Sequence, residues 1–168
     1  MTATAYLLER SLRPGVTAVL TTQTGHGPVL AIHEPVVSLR SRWSVRDTAG
    51  NILATIGRVH SLHVRYAITW QGTSFTLGRH LGGRWDMVAD GDAGPEWWIR
   101  GSHLEHDHVL GRGDDILATL HRRWLGLRDR TVVHIAADTD PSLVAAVCAV
   151  LHDDARRRVV GGGFVGGS

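Results

Sequence analysis

The sequence predicts a mainly β domain, a closed antiparallel barrel of repeated hairpins plugged by its own apolar C-terminal helix. Three observations carry this expectation. Short alternating segments recur between Gly- and Asp-rich turns, parts of the chain repeat one another, and one segment near the C-terminus is apolar on every side.

The repeats come first because they constrain the architecture. Ser38-Leu39-Arg40-Ser41-Arg42-Trp43-Ser44-Val45 shares the pattern Ser-Leu-x-x-Arg-aromatic-x-β-branched with Ser61-Leu62-His63-Val64-Arg65-Tyr66-Ala67-Ile68. A degenerate copy runs from Gly126 to Val133. Ile52-Leu53-Ala54-Thr55 recurs as Ile116-Leu117-Ala118-Thr119, and Arg58 and Arg122 follow at the same distance from each copy.

Each unit reads as a hairpin. Trp43, Val45 and Asp47 alternate with Arg42, Ser44 and Arg46; Thr48 to Asn51 forms a turn; Ile52 to Ile56 returns. This period of two places alternate side chains on opposite faces of a sheet. The same reading gives strands at Val64 to Trp70 and Thr73 to Arg79, joined by Gln71-Gly72. It gives Arg84 to Ala89 and Glu96 to Gly101 across the turn Asp90 to Pro95, then His106 to Leu110 and Ile116 to Arg122 across Arg112 to Asp115. Gly and Asp suit such turns, one by tolerating positive φ, the other by bonding its own backbone.

The last element breaks the pattern. Asp140-Pro141 is a helix start, with Asp at the N-cap and Pro at the first helical position. Leu143 to Leu151 then contains no polar side chain except the weakly polar thiol of Cys148. A surface helix keeps a polar stripe, and this one has none. It is too short to span a bilayer. A curled sheet around it satisfies both parts, since the strands need a core and the helix needs full burial. His152 to Arg158 marks its emergence, and the Gly-rich stretch 159–168 reads as a flexible tail after a single domain over residues 1–158.

Length and composition narrow the function. A chain of 168 residues suffices for one domain with a real core. The net charge is +2, and all 18 basic residues are Arg. Cys148 is the one cysteine, so no internal disulfide forms, which fits a reducing cytoplasm. No signal pattern or membrane span is expected.

The residues also carry a family resemblance. Tyr6 to Leu12, the Trp43-x-Val45-x-Asp47-x-x-Gly50-Asn51 hairpin, His106 to Leu110, Arg122-Arg123-Trp124 with Arg128-Asp129, and Asp140 to Asp153 together resemble the LURP-one-related family. That family lies in the tubby C-terminal-like superfamily, which also holds the phospholipid scramblases. The resemblance covers residues 6 to 156 and implies a barrel of about twelve strands around a central hydrophobic helix. Tubby-like relatives bind phosphoinositide headgroups, and scramblases act at membranes. Two departures mark a divergent member: Thr131 stands where an aromatic is usual, and the strand around Val16 to Leu20 lacks its aromatic. A cysteine cluster of the scramblase kind is absent, which argues against scramblase activity.

Candidate sites were weighed against plainer readings. Arg58, Arg65, Arg79, Arg84, Arg122 and Arg123 lie on or beside strands and would bind an anionic headgroup if they converged, because guanidinium grips oxyanions bidentately. Otherwise they form a solvated face. Trp97 and Trp98 are adjacent, so one must face outward as a possible contact surface. His103, His106 and His108 are weak metal candidates, and the plainer reading makes them part of a strand motif. No paired acid and base, nucleophile elbow, phosphate loop or calcium loop was found, so neither catalysis nor a cofactor is expected. The expected function is therefore a non-enzymatic binding module for anionic phospholipid headgroups or a similar phosphate ligand, cytoplasmic and peripheral at a membrane. The alternative is a protein-interaction scaffold. Nucleic acid fits less well, given the small net charge.

Overall fold

The computed structural model describes residues 3–25, 27–34, 42–59, 63–80, 85–91, 96–102, 107–125 and 128–161, with backbone alone for 102, 122–125, 128–129 and 159–161. Twelve strands close into one antiparallel barrel, each paired with its neighbours in chain order. They are β1 (Ala3–Arg10), β2 (Val16–Thr22), β3 (Pro28–His33), β4 (Arg42–Asp47), β5 (Ile52–Val59) and β6 (Arg65–Trp70), then β7 (Thr73–Arg79), β8 (Trp85–Ala89), β9 (Trp97–Ser102), β10 (Asp107–Arg112), β11 (Asp115–Leu125) and β12 (Arg128–Ala136). Closure is made by β1 against β12, in register from Ala3↔Ala136 to Glu9↔Arg130. Closing the sheet gives each of the twelve described strands a partner on both sides, which removes the sheet's edges.

The helix α1 (Pro141–Gly161) occupies the interior, as its sequence required. From Leu143 to Val150 every side chain is at most 8% exposed, on all sides of the helix. An eight-stranded barrel is filled by its own side chains, and a wider one has room for a helix. Ala145, Ala146 and Ala149 keep this helix slim, and Leu8, Val45, Ile56, Ile68, Leu77, Leu110 and Ile135 point in from the wall. The helix continues to Gly161, so the expected tail lies outside the described residues from 162 onward.

Both ends of the helix are fastened. At the start, Asp140 Oδ1 accepts from Ser142 N at 2.7 Å, the N-cap bond expected of an Asp-Pro start. Gln71 Nε2 donates to Asp140 Oδ2 at 3.0 Å, and Trp70 Nε1 donates to Ser142 Oγ at 2.9 Å. Gln71 and Gly72 both have positive φ, 48° and 79°, the geometry of a two-residue hairpin turn. At the far end Tyr66 donates to Asp153 at 2.7 Å, and Arg79 donates to both oxygens of Asp154 at 2.9 and 3.0 Å. Burial, followed by Asp153, raises the Tyr66 phenol far above its ordinary range.

Candidate functional site

The outer face of β3 to β6 carries a groove of about 630 Å³. Its residues follow from strand alternation. Trp43, Val45, Ala54, Ile56, Tyr66 and Ile68 are buried inward, so Arg42, Ser44, Arg46, Thr55, Gly57, Ala67 and Thr69 face out. Register lines them into transverse rows. One row runs His33, Ser44, Thr55, Thr69, each opposite the next. The row beside it runs Arg42, Gly57, Ala67. The floor is therefore hydroxyls and the smallest side chains, flanked by guanidinium groups.

A barrel exterior is ordinarily convex, and two features hollow it here. The pairing of β4 with β5 shifts register between Val45 and Arg46, and that of β2 with β3 shifts between Val16 and Ala18. Such irregularities bend a strand and increase its twist. The chain also builds a wall: Glu34 N donates to the Gly15 carbonyl at 3.1 Å, drawing the end of β3 onto the β1–β2 turn. Gly15, with φ of 75°, takes a left-handed conformation that this turn requires.

The groove's electrostatics are lopsided. Arg46 Nε donates to Ser44 Oγ at 3.2 Å, and among the described residues neither Arg42 nor Arg46 has a carboxylate partner. His33 lies beside them, and desolvation followed by the charge of Arg46 lowers its pKa from the ordinary value. Glu34, next to His33 and in the same groove, is held by the Thr17 hydroxyl at 3.5 Å. The site thus offers two guanidiniums without a carboxylate partner among the described residues, a third group able to become cationic, and a row of hydroxyls. That chemistry suits an oxyanion attached to a hydrogen-bonding body.

Of the six arginines singled out from sequence, the side chains of Arg58, Arg65 and Arg79 are described. Arg58 and Arg79 share inward parity on β5 and β7, near the helix exit, where Arg58 acts on Tyr66 electrostatically and Arg79 is engaged by Asp154. Arg65 is exposed and has the opposite parity on β6. Arg84 and the side chains of Arg122 and Arg123 lie outside the described residues. What sequence reading missed was Arg42 and Arg46. Their spacing, Arg-x-Ser-x-Arg on one strand, is the available signal, and by itself it fits any polar face of a hairpin.

The tryptophans divide as adjacent strand residues must. Trp97 turns inward, its ring edge-on to Phe75 at 5.3 Å with Arg112 stacked at 5.1 Å. Trp98 turns outward, but its indole lies over Gly111, its Nε1 donates to the Gly113 carbonyl at 2.8 Å, and Arg100 caps the ring at 4.5 Å. His108 faces inward opposite Leu120, close to Gly101, while His103 and His106 lie outside the described residues. Among the described residues no three potential ligands are grouped around a metal position. Cys148 is buried, which pushes its thiol up to about 12 and makes it inert as a nucleophile. Among the described residues no helix is long and apolar enough to cross a membrane.

Comparison with known proteins agrees with this architecture. The family model described as LURP-one-related matches residues 10–153. A protein of Arabidopsis thaliana solved by X-ray is similar in fold, with a TM-score of 0.66 at 21% identity, over 90% of this chain and 91% of that one. No curated protein matches the chain.

Proposed function

The chain belongs to the LURP-one-related family, and from that premise we propose that it is a non-enzymatic binding domain that holds an anionic phospholipid headgroup in the outer groove of β3 to β6. The observation that carries this is the pair Arg42 and Arg46, without a carboxylate partner among the described residues, beside a floor of small and hydroxyl-bearing side chains. Guanidinium groups left uncompensated at a concave surface favour a phosphate oxyanion. The hydroxyls of Ser44, Thr55 and Thr69 supply neutral partners for the rest of a headgroup. The domain works peripherally, from the water side of an acidic membrane.

Vesicle sedimentation tests it. The protein sediments with phosphatidylcholine vesicles containing phosphoinositide or phosphatidylglycerol, remains in solution with phosphatidylcholine alone, and is released by salt. At about 1 kcal/mol per basic side chain near an acidic surface, Arg42→Ala/Arg46→Ala weakens the partition ~30-fold. Equal partition onto neutral and acidic vesicles, or a double variant that binds like the parent, overturns the reading.

A further inference from the structure

A second constellation lies on the exterior wall, away from the groove. Asp107 on β10, His121 on β11 and His134 on β12 all face outward, because Leu120, Val133 and Ile135 between them are buried. Asp107 pairs directly with His121, and His134 stands opposite Thr119, so the two imidazoles are diagonal neighbours across β11 and β12. Their ring centroids are 6.2 Å apart, with planes at 71°. His121 Nδ1 lies 3.2 Å from Asp107 Oδ2, and both side chains are 48% exposed. Neither histidine is absorbed by the core or by the proposed headgroup site.

We propose that His121 and His134 form an exterior site for a divalent transition metal ion of the zinc or nickel class, with Asp107 as the residue that positions His121. The Asp107 carboxylate, 3.2 Å from His121 Nδ1, draws the ring proton to that nitrogen electrostatically. This favours the tautomer whose lone pair is on Nε2, the nitrogen that ligates. Two imidazoles on one tetrahedral ion, each at the usual 2.0–2.1 Å, place their ring centroids about 5 Å apart. The observed separation of 6.2 Å exceeds this by about 1 Å, so an ion held by both must draw the rings together. Imidazole donors select zinc, copper or nickel over calcium or magnesium, which prefer oxygen. Two protein ligands leave the remaining positions of the ion to water or to a donor from outside the chain, fewer than the four of a closed structural site.

The chain has 11 histidines, and His103, His106 and His108 are the obvious competitors. The test is therefore made on the full chain carrying His103→Ala/His106→Ala/His108→Ala, freed of metal by chelation and titrated calorimetrically with zinc. Saturable zinc binding is retained in this background. It is lost when His121→Ala or His134→Ala is added, and Asp107→Asn weakens it about 10–100-fold, as loss of an orienting partner does. Thermal melting of the metal-free variants at the parent's temperature shows that the fold is kept, and His121→Gln provides a milder version of the same change. Zinc binding that disappears in the triple background, that survives His121→Ala and His134→Ala, or that never saturates overturns the site. Unchanged affinity in Asp107→Asn overturns the positioning role.

Discussion

His33 is poised to make the groove respond to acidity. Burial disfavours its charged form, and the guanidinium of Arg46 repels a second cation, so its pKa lies below the ordinary 6.5. For a histidine depressed in this way, the folded state binds the proton less readily than the unfolded chain. Its contribution to stability is complete above pH 6.5 and is lost as the pH falls from there through the lowered folded value. An anion seated on Arg46 reverses the local field, so binding raises the pKa and takes up a proton. By linkage, affinity for a ligand of constant charge rises on acidification. Phosphatidylglycerol vesicles, whose phosphodiester does not titrate here, should be bound more tightly at pH 5.5 than at pH 7.5, by at most about fivefold, the roughly 1 kcal/mol of one full added positive charge. His33→Gln should flatten that profile. A slope that persists in His33→Gln assigns the proton to another group.

At the scale of single elements, β9 and β10 show how a strand pair is specified by what it cannot contain. A Cβ on Gly111 would lie 2.1 Å from the Trp98 ring, so the indole lies flat only because that position is glycine. Gly111→Ala expels the ring, and with it the bond to the Gly113 carbonyl and the stack with Arg100. The expected cost is about 1–3 kcal/mol, the range for overpacking, read as a lowered urea midpoint with a changed tryptophan emission. A variant that melts with the parent removes Trp98 from the list of what holds this wall together. The sequence shows that one of Trp97 and Trp98 must face out, but not that the outward one is laid down on its neighbour. The same limit hid the groove. Hairpins such as Arg65–Trp70 with Thr73–Arg79 were legible because alternation and the Gln71-Gly72 turn fix them locally. The groove floor instead joins Ser44, Thr55 and Thr69 from three strands, and the register that aligns them depends on a shift at Val45/Arg46. Small side chains carry no chemical signature, so their convergence is visible only in three dimensions. Among the described arginines picked from sequence, Arg65 takes the face opposite to that of Arg58 and Arg79, as alternation with the buried Tyr66, Ile56 and Leu77 sets it.

For the whole molecule, the helix and the wall have no separate existence. The stretch from Leu143 to Val150 was legible as an interior element because every face of it is apolar, and the wall offers inward side chains from all around to meet it. Among the described residues the buried apolar side chains form one core, and the chain closes only when β1 meets β12, immediately before the helix. Damage at the helix centre should therefore unfold the strands along with it. Val147, 0% exposed, is the place to test this. Val147→Asp puts a carboxylate where no described side chain can pair with it, at a cost of several kcal/mol, against a total stability of about 5–15 kcal/mol for a domain. Val88→Asp makes the same chemical change at a position 59% exposed on the outer wall, where substitutions stay within about 0.5 kcal/mol. In urea, far-ultraviolet dichroism reports the sheet, and near-ultraviolet dichroism reports the packing around Trp43 and Trp85. Both signals should collapse together and early in Val147→Asp, and stay with the parent in Val88→Asp. Strand signal that outlasts the tryptophan signal would mean that the wall stands without its plug, and equal midpoints for the two variants would mean that the helix interior does not carry the fold.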